Sequence, residues 1–234
     1  LIAYAASLGI DKWAYSKKET RFCTQKLKEF TAVSVREDSG MELCKRHLNH
    51  TAEHVLDPTM LLTPADYRAL IGEGGAEKYT NKITAFILDR SDDKLAALKK
   101  VSKVLAMDYN FAATETEDRL APLEKRIAPS VADWLKAMYY ADFIFTDSFH
   151  GCVFSILFNK PFVLYVNRNR GVARFESLLK LFKIENRTLS DSNGLESCPI
   201  RQSIDWKPIN AKLEEMRSKS MCFLENALTA RDEQ

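Results

Sequence analysis

The sequence predicts an α/β protein built on a doubly wound parallel sheet. Short apolar runs of strand length recur along the chain, and each is separated from the next by a segment with helical spacing. The stretch 142–171, DFIFTDSFHGCVFSILFNKPFVLYVNRNRG, condenses this pattern into one strand–turn–helix–strand unit. A strand followed by a helix and another strand in one sheet implies a parallel pair joined by a right-handed crossover.

The elements follow in order. Residues 1–7 (LIAYAAS) read as a strand ending in the Leu8-Gly9 turn, and 11–15 and 17–30 are helical in composition. Residues 32–35 form a short strand running into Arg36-Glu37-Asp38-Ser39-Gly40, and a helix is expected over 41–47 with Asp38 or Ser39 as its cap. Val55-Leu56 is a clipped strand stopped by Asp57-Pro58, and Thr63-Pro64 supplies the cap and first position of another helix. Residues 71–81, with Gly72, Gly74 and Gly75, read as a loop and a domain boundary, dividing the chain into 1–70 and 71–234. No strand precedes GEGG, so it is no phosphate-binding fingerprint.

Beyond that loop the alternation resumes. A strand is expected over 83–88, a helix over 92–105 with Leu95, Leu98, Val101, Val104 and Leu105 on one face, and a strand over 108–113. Residues 119–126 read as a linker and 130–139 as a capped helix. In the central unit, 143–146 is a buried strand, and Asp147 and Ser148 carry capping oxygens for a helix over 150–159 that is apolar on nearly every face. Lys160-Pro161 ends that helix, and 162–166 is a second buried strand. An amphipathic helix over 174–182, a loop over 190–197 and a long helix over 210–228 complete the chain.

Bulk properties narrow the function classes. The 234 residues, 46% hydrophobic and 28% charged, suit one or two globular domains. A formal charge of +2 gives no electrostatic case for nucleic acid. No apolar run approaches the ~18 residues of a membrane-spanning helix. Residues 1–10 do not read as a signal peptide, and Leu1 falls inside a strand-like run, so the sequence reads as a fragment lacking an N-terminal portion. Five scattered cysteines without a CxxC arrangement fit reduced thiols in a cytoplasmic protein. Cys152 lies inside an apolar helix and reads as a packing thiol.

Chemistry-bearing residues gather at the carboxyl ends of the expected strands, where open parallel sheets bind ligands. Arg36 closes one strand, His150 follows another, and Arg174 opens a helix after the 166–171 loop. A guanidinium fork matches a phosphate or carboxylate, and an imidazole exchanges protons near neutrality. Asp57 stands at a further strand end, where it either faces the same crevice or bonds the N–H groups of its turn. His47, His50 and His54 with Glu53 do not complete a tetrahedron on one face, and no metal is expected.

The motifs SVREDSG (34–40), HVLDPTMLL (54–62), TDSFHGCVFSILFNKPF (146–162) and ARFESLL (173–179) resemble the polysaccharide pyruvyl transferase family. The resemblance implies a GT-B-like fold of two Rossmann-like halves, with the N-terminal half truncated in this sequence. It implies transfer of pyruvate from phosphoenolpyruvate to a sugar as a ketal, without a cofactor, in surface or exopolysaccharide synthesis. The expected partners are phosphoenolpyruvate and a saccharide acceptor, with a lipid-linked acceptor placing the protein peripheral to a membrane. Position by position, Arg36 and His150 match the donor-site arginine and histidine, and Phe149 lies where its backbone contacts the donor. Ser148 departs from members that carry another arginine there, with Arg174 or Arg170 as its substitute. The other readings are a GT-B glycosyltransferase using a nucleotide sugar and a non-catalytic relative that binds anionic saccharide.

Overall fold

A computed structural model describes residues 1–114, 120–166 and 171–229. Strand β1 (Ile2–Ala6) leads through an irregular segment to α1 (Lys17–Leu27), β2 (Ala32–Val35), α2 (Asp38–Leu48) and β3 (Glu53–His54). Then come α3 (Pro64–Ile71), β4 (Lys82–Phe86), α4 (Asp92–Leu105), β5 (Asp108–Phe111), the short α5 (Leu123–Arg126) and α6 (Val131–Tyr140). The remainder is β6 (Phe143–Thr146), α7 (Phe149–Leu157), β7 (Phe162–Tyr165), α8 (Val172–Phe182), β8 (Thr188–Leu189) and α9 (Trp206–Thr229). The chain is therefore α/β, with every strand pair among the described residues parallel.

These elements form two compact units. The first comprises 1–62, 168–184 and 207–234, and the second 63–167 and 185–206. In the first, β1, β2 and β3 make a three-stranded parallel sheet in that order. Its core combines Val33, Val35, Cys44, Leu48 and Ala52 with a second cluster of Ala5, Val55 and Phe223, so α9 packs on this sheet. Polar ties bind the same helix: the Ser220 hydroxyl accepts the Leu56 N–H at 3.0 Å, and the Arg217 guanidinium donates to the carbonyls of Met60 and Leu62.

The second unit holds a five-stranded parallel sheet in the order β5-β4-β6-β7-β8. The chain starts in the middle at β4, moves outward to β5, then returns to β6 on the other side. Strand order thus reverses between β4 and β6, and at such a point crossovers depart to opposite faces and open a crevice at the carboxyl ends. Both faces are covered. Ile83, Ala85, Phe143, Phe145 and Val163 pack with Ala97, Leu98 and Val101 of α4. On the opposite face the buried Thr84 hydroxyl donates to the Ala137 carbonyl of α6 at 2.9 Å, which satisfies a polar group inside the sheet.

Three local differences from the sequence reading have physical causes. Residues 11–15 are not helical: the Trp13 ring stacks on His47 and its indole N–H donates to Thr20, which holds the segment extended before the Ser16 cap of α1. Helix α2 begins at Asp38, with Glu37 as its N-cap residue, so Asp38 and Ser39 lie inside the first turn. The third strand is assigned to Glu53–His54, because the Leu56 N–H turns from the ladder to Ser220.

Gly151 fixes the approach of α7 to β6. A Cβ at this position would stand 2.1 Å from Thr146 Oγ1 and 2.7 Å from Thr146 Cβ. Thr146 is fully buried, and its hydroxyl donates to the Phe86 carbonyl at 2.7 Å, so it has nowhere to retreat. Gly151→Ala is expected to destabilise the protein by about 1–3 kcal/mol through overpacking. Urea denaturation measures the loss, and a midpoint equal to the wild type would contradict this fit.

Candidate functional site

The second unit presents its polar crest where the strand order reverses. Strand β6 ends at Thr146, and the chain turns through Asp147 and Ser148 into α7. The Ser148 N–H donates back to Thr146 Oγ1 at 3.0 Å, which closes a tight turn. Asp147 does not cap the helix as its position in the sequence suggests. Its carboxylate is fully buried and accepts the N–H groups of Leu88 and Asp89, at 2.7 and 3.1 Å, from the loop after β4. Lys94 of α4 completes the set, with Nζ 2.6 Å from Asp147 Oδ2 and 2.7 Å from the Asp89 carbonyl.

Ser148 takes the N-cap position of α7, but its side chain makes no capping hydrogen bond. The start of α7 carries the partial positive charge of a helix N-terminus. Phe149 is buried and packs edge-on to His150, with ring centroids 5.6 Å apart. His150 itself is exposed. Ser148, Phe149 and His150 thus share one helix start, and this arrangement is suited to holding an anion beside a proton-exchanging imidazole.

A series of polar contacts extends the crest toward β8. Lys94 Nζ lies 5.6 Å from the Tyr165 ring centroid, and the Tyr165 hydroxyl donates to Asp93 at 2.5 Å. Asp93 also accepts the Ser192 N–H at 2.9 Å. Those bonds, first from Ser192 and then from Tyr165, hold the Asp93 carboxyl below its ordinary pKa. Burial first, and then the bond to Asp93, push the Tyr165 phenol up to about 12.

In the first unit, Arg36 leaves β2 under several constraints. Its N–H donates to the Ala6 carbonyl at 3.1 Å, and its carbonyl accepts His54 Nε2 at 3.2 Å. Its Nη1 meets Asp57 Oδ2 at 2.5 Å. Asp57 is buried, and its other oxygen accepts the N–H and hydroxyl of Thr59 at 3.1 and 2.7 Å. Asp57 therefore serves its turn and also orients the guanidinium. Desolvation chiefly lowers the pKa of His54, so the imidazole that holds the Arg36 carbonyl is neutral at physiological pH. Arg174 lies half-buried in the first turn of α8, its guanidinium 6.0 Å from the Phe175 ring.

The structure thus brings Arg36 and Asp57 together in one unit, with Arg174 also in that unit, and groups Ser148, Phe149 and His150 in the other. Arg170 lies outside the described residues. Among the described residues no group of three His, Cys, Asp or Glu side chains is arranged for a metal ion. Cys152 is fully buried, and burial raises its thiol pKa far above the ordinary range, which removes it as a nucleophile. Sequence reasoning missed Lys94 and Tyr165: a lysine on an amphipathic helix reads as solvated, and the strand tyrosine reads as core.

The parallel sheets and the two polar crests define an α/β protein suited to anionic ligands. A family model for polysaccharide pyruvyl transferase matches residues 1–169, and the chain belongs to that family, which implies a transferase acting on polysaccharides. A comparison with curated proteins returns no match. Among the described residues no helix is long and apolar enough to cross a membrane.

Two outcomes are expected here. Lys94→Met leaves the Asp147 carboxylate buried without its cation and should cost about 3–5 kcal/mol, whereas the double variant Lys94→Met/Asp147→Leu should recover much of that loss. Denaturant midpoints decide between them. A raised folded-state pKa at Tyr165 means that the unfolded chain loses its phenolic proton first as pH rises. Stability from this group is therefore intact below pH ~10 and falls between ~10 and ~12. Tyr165→Phe should flatten that alkaline decline in denaturation series at pH 9 and 11.

Proposed function

We propose that the protein transfers the pyruvyl group of phosphoenolpyruvate to two hydroxyls of a saccharide, forming a cyclic ketal. The observation that carries this reading is the exposed His150 on the first turn of α7, at a helix start whose N-cap residue, Ser148, directs no side-chain bond into the turn. The chemistry needs a proton delivered to the donor's methylene carbon, C3. That step creates an oxocarbenium-like centre at C2, which an acceptor hydroxyl attacks before phosphate departs. His150 is the acid of this scheme. The helix start at Ser148 and Phe149 binds the donor's anionic groups through backbone N–H donors, and Arg36 supplies a guanidinium for its phosphate or carboxylate.

Arg36 enters this scheme preorganised, since Asp57, His54 and the Ala6 carbonyl fix it from three directions. Arg174 is the proposed replacement for the positive charge that some family members carry where this chain has Ser148. Each unit carries a parallel sheet flanked by helices, and the proposal takes the chain as GT-B-like. The acceptor is a polysaccharide or its lipid-linked precursor, handled on the cytoplasmic side by a peripheral protein.

Phosphate release from phosphoenolpyruvate in the presence of candidate glycans tests the reaction. Release of a nucleoside diphosphate from a sugar nucleotide instead would identify a glycosyltransferase. His150→Ala should lower kcat by about 100-fold or more with the thermal midpoint unchanged, in the range for loss of a general acid. Arg36→Lys, which keeps the charge and loses the fork, should raise the donor KM by about ten-fold with a smaller effect on kcat. An unaltered kcat in the first variant or an unaltered KM in the second would remove the respective role.

A further inference from the structure

The crest of the three-stranded sheet carries a polar cluster that donor binding leaves unused. Glu37, the residue after Arg36, is fully buried. Its Oε1 accepts the Ser7 hydroxyl at 2.5 Å and the Gly9 N–H at 2.8 Å. Among the described residues nothing donates to its Oε2, although that atom is buried. Fastening a loop does not require this arrangement, because a glutamine would accept the same two bonds without burying a charge. A carboxylate, unlike the carboxamide of a glutamine, can take up a proton from the group that donates to it. What donates is Ser7, the first residue after β1, and Ser7 is exposed.

Its surroundings keep this serine in place. Gly171, at φ +74°, approaches so closely that a Cβ there would stand 2.7 Å from the Gly9 carbonyl oxygen, so the 7–9 turn is seated against the start of α8. Glu37 in turn belongs to the cap of α2, whose Asp38 N–H is held by Ser177 Oγ of α8 at 2.9 Å. An exposed hydroxyl thus points its proton at a buried carboxylate, at the carboxyl end of a parallel strand and next to the strand that presents Arg36.

We propose that Ser7 and Glu37 form the proton relay that deprotonates the attacking hydroxyl of the saccharide acceptor. The inference rests on the pyruvyl-transfer reading and assigns the base which that reading leaves open. As the acceptor oxygen bonds to C2 of the pyruvyl group, its proton passes to Ser7 Oγ, and the Ser7 proton passes to Glu37 Oε1. When the C2–O bond to phosphate breaks, Glu37 returns its proton through Ser7 to the departing phosphate. The second acceptor hydroxyl closes the ketal, and its proton replaces the one His150 gave to C3, so atoms and charge balance. Ser7 is the catalytic residue that touches the acceptor, and Glu37 acts through it.

Steady-state kinetics of phosphate release by the purified protein test the relay. Ser7→Ala, at an exposed position that leaves the core intact, should lower kcat by about 100-fold with the phosphoenolpyruvate KM unchanged. Glu37→Gln should do the same, and Glu37→Asp should recover part of the rate. An acceptor whose hydroxyl is acidified by a fluorine on the neighbouring carbon needs less help from a base, so it should lose less rate than the parent acceptor in both variants. A Ser7→Ala enzyme with wild-type kcat, or equal losses with both acceptors, overturns the relay while leaving pyruvyl transfer standing. A wild-type protein that releases no phosphate from phosphoenolpyruvate with any glycan overturns both.

Discussion

The direction taken by one carboxylate governs the crest of the five-stranded sheet. Asp147 precedes α7 and has the chemistry of a helix cap, yet its side chain turns away to the loop after β4, where two backbone N–H groups and Lys94 bind it. Had it capped the helix, it would have saturated a first-turn donor and set a negative charge beside His150. Turned away, it leaves the start of α7 electropositive and fastens the ends of β4 and β6 together at the point where strand order reverses. The fit of Gly151 against Thr146 makes this possible, because it lets the helix begin close to the strand end.

Burying Lys94 and Asp147 carries a desolvation penalty that their attraction offsets only when every remaining donor and acceptor is satisfied. Here, among the described residues, Asp147 accepts from the N–H groups of Leu88 and Asp89 and from Lys94, while Lys94 divides its protons between Asp147 and the Asp89 carbonyl and rests near the Tyr165 ring. The pair joins the loop after β4, the end of β6 and the first turn of α4 in one set of contacts. The first unit uses the same device at smaller scale, where Asp57 holds the Arg36 guanidinium and His54 holds its carbonyl. A cation oriented before a ligand arrives loses little reorganisation energy when charge develops near it.

Much of this was legible in the sequence because it rests on local pattern. The run 142–171 announced its strands, its buried helix and a histidine at the turn between them through apolar spacing and the Lys160-Pro161 stop. The motifs around Arg36, Asp57 and His150 carried the family. What stayed hidden was the partner of each polar side chain. Lys94 and Asp147 are 53 residues apart, and Ser7 and Glu37 are 30 apart. No periodicity links such positions, since only the packed sheet brings them together. The same limit explains 11–15, where the distant His47 ring overrode a helical composition, and Leu56, whose N–H left the ladder for a serine on the terminal helix.

On the proposed reading, the exchange of a family arginine for Ser148 alters how charge is supplied to the donor. Phosphoenolpyruvate is multiply anionic, and the Asp57 carboxylate beside Arg36 offsets part of the guanidinium charge, so Arg36 contributes hydrogen-bond direction as well as charge. The helix start contributes about half a positive charge. On this reading the proton that His150 delivers to C3 serves binding of the donor's anions before it serves catalysis. Donor anions beside the ring raise its affinity for that proton, so the bound substrate itself keeps the acid loaded until C3 takes the proton. Donor binding is thereby tied to the protonation state of the residue that must act next.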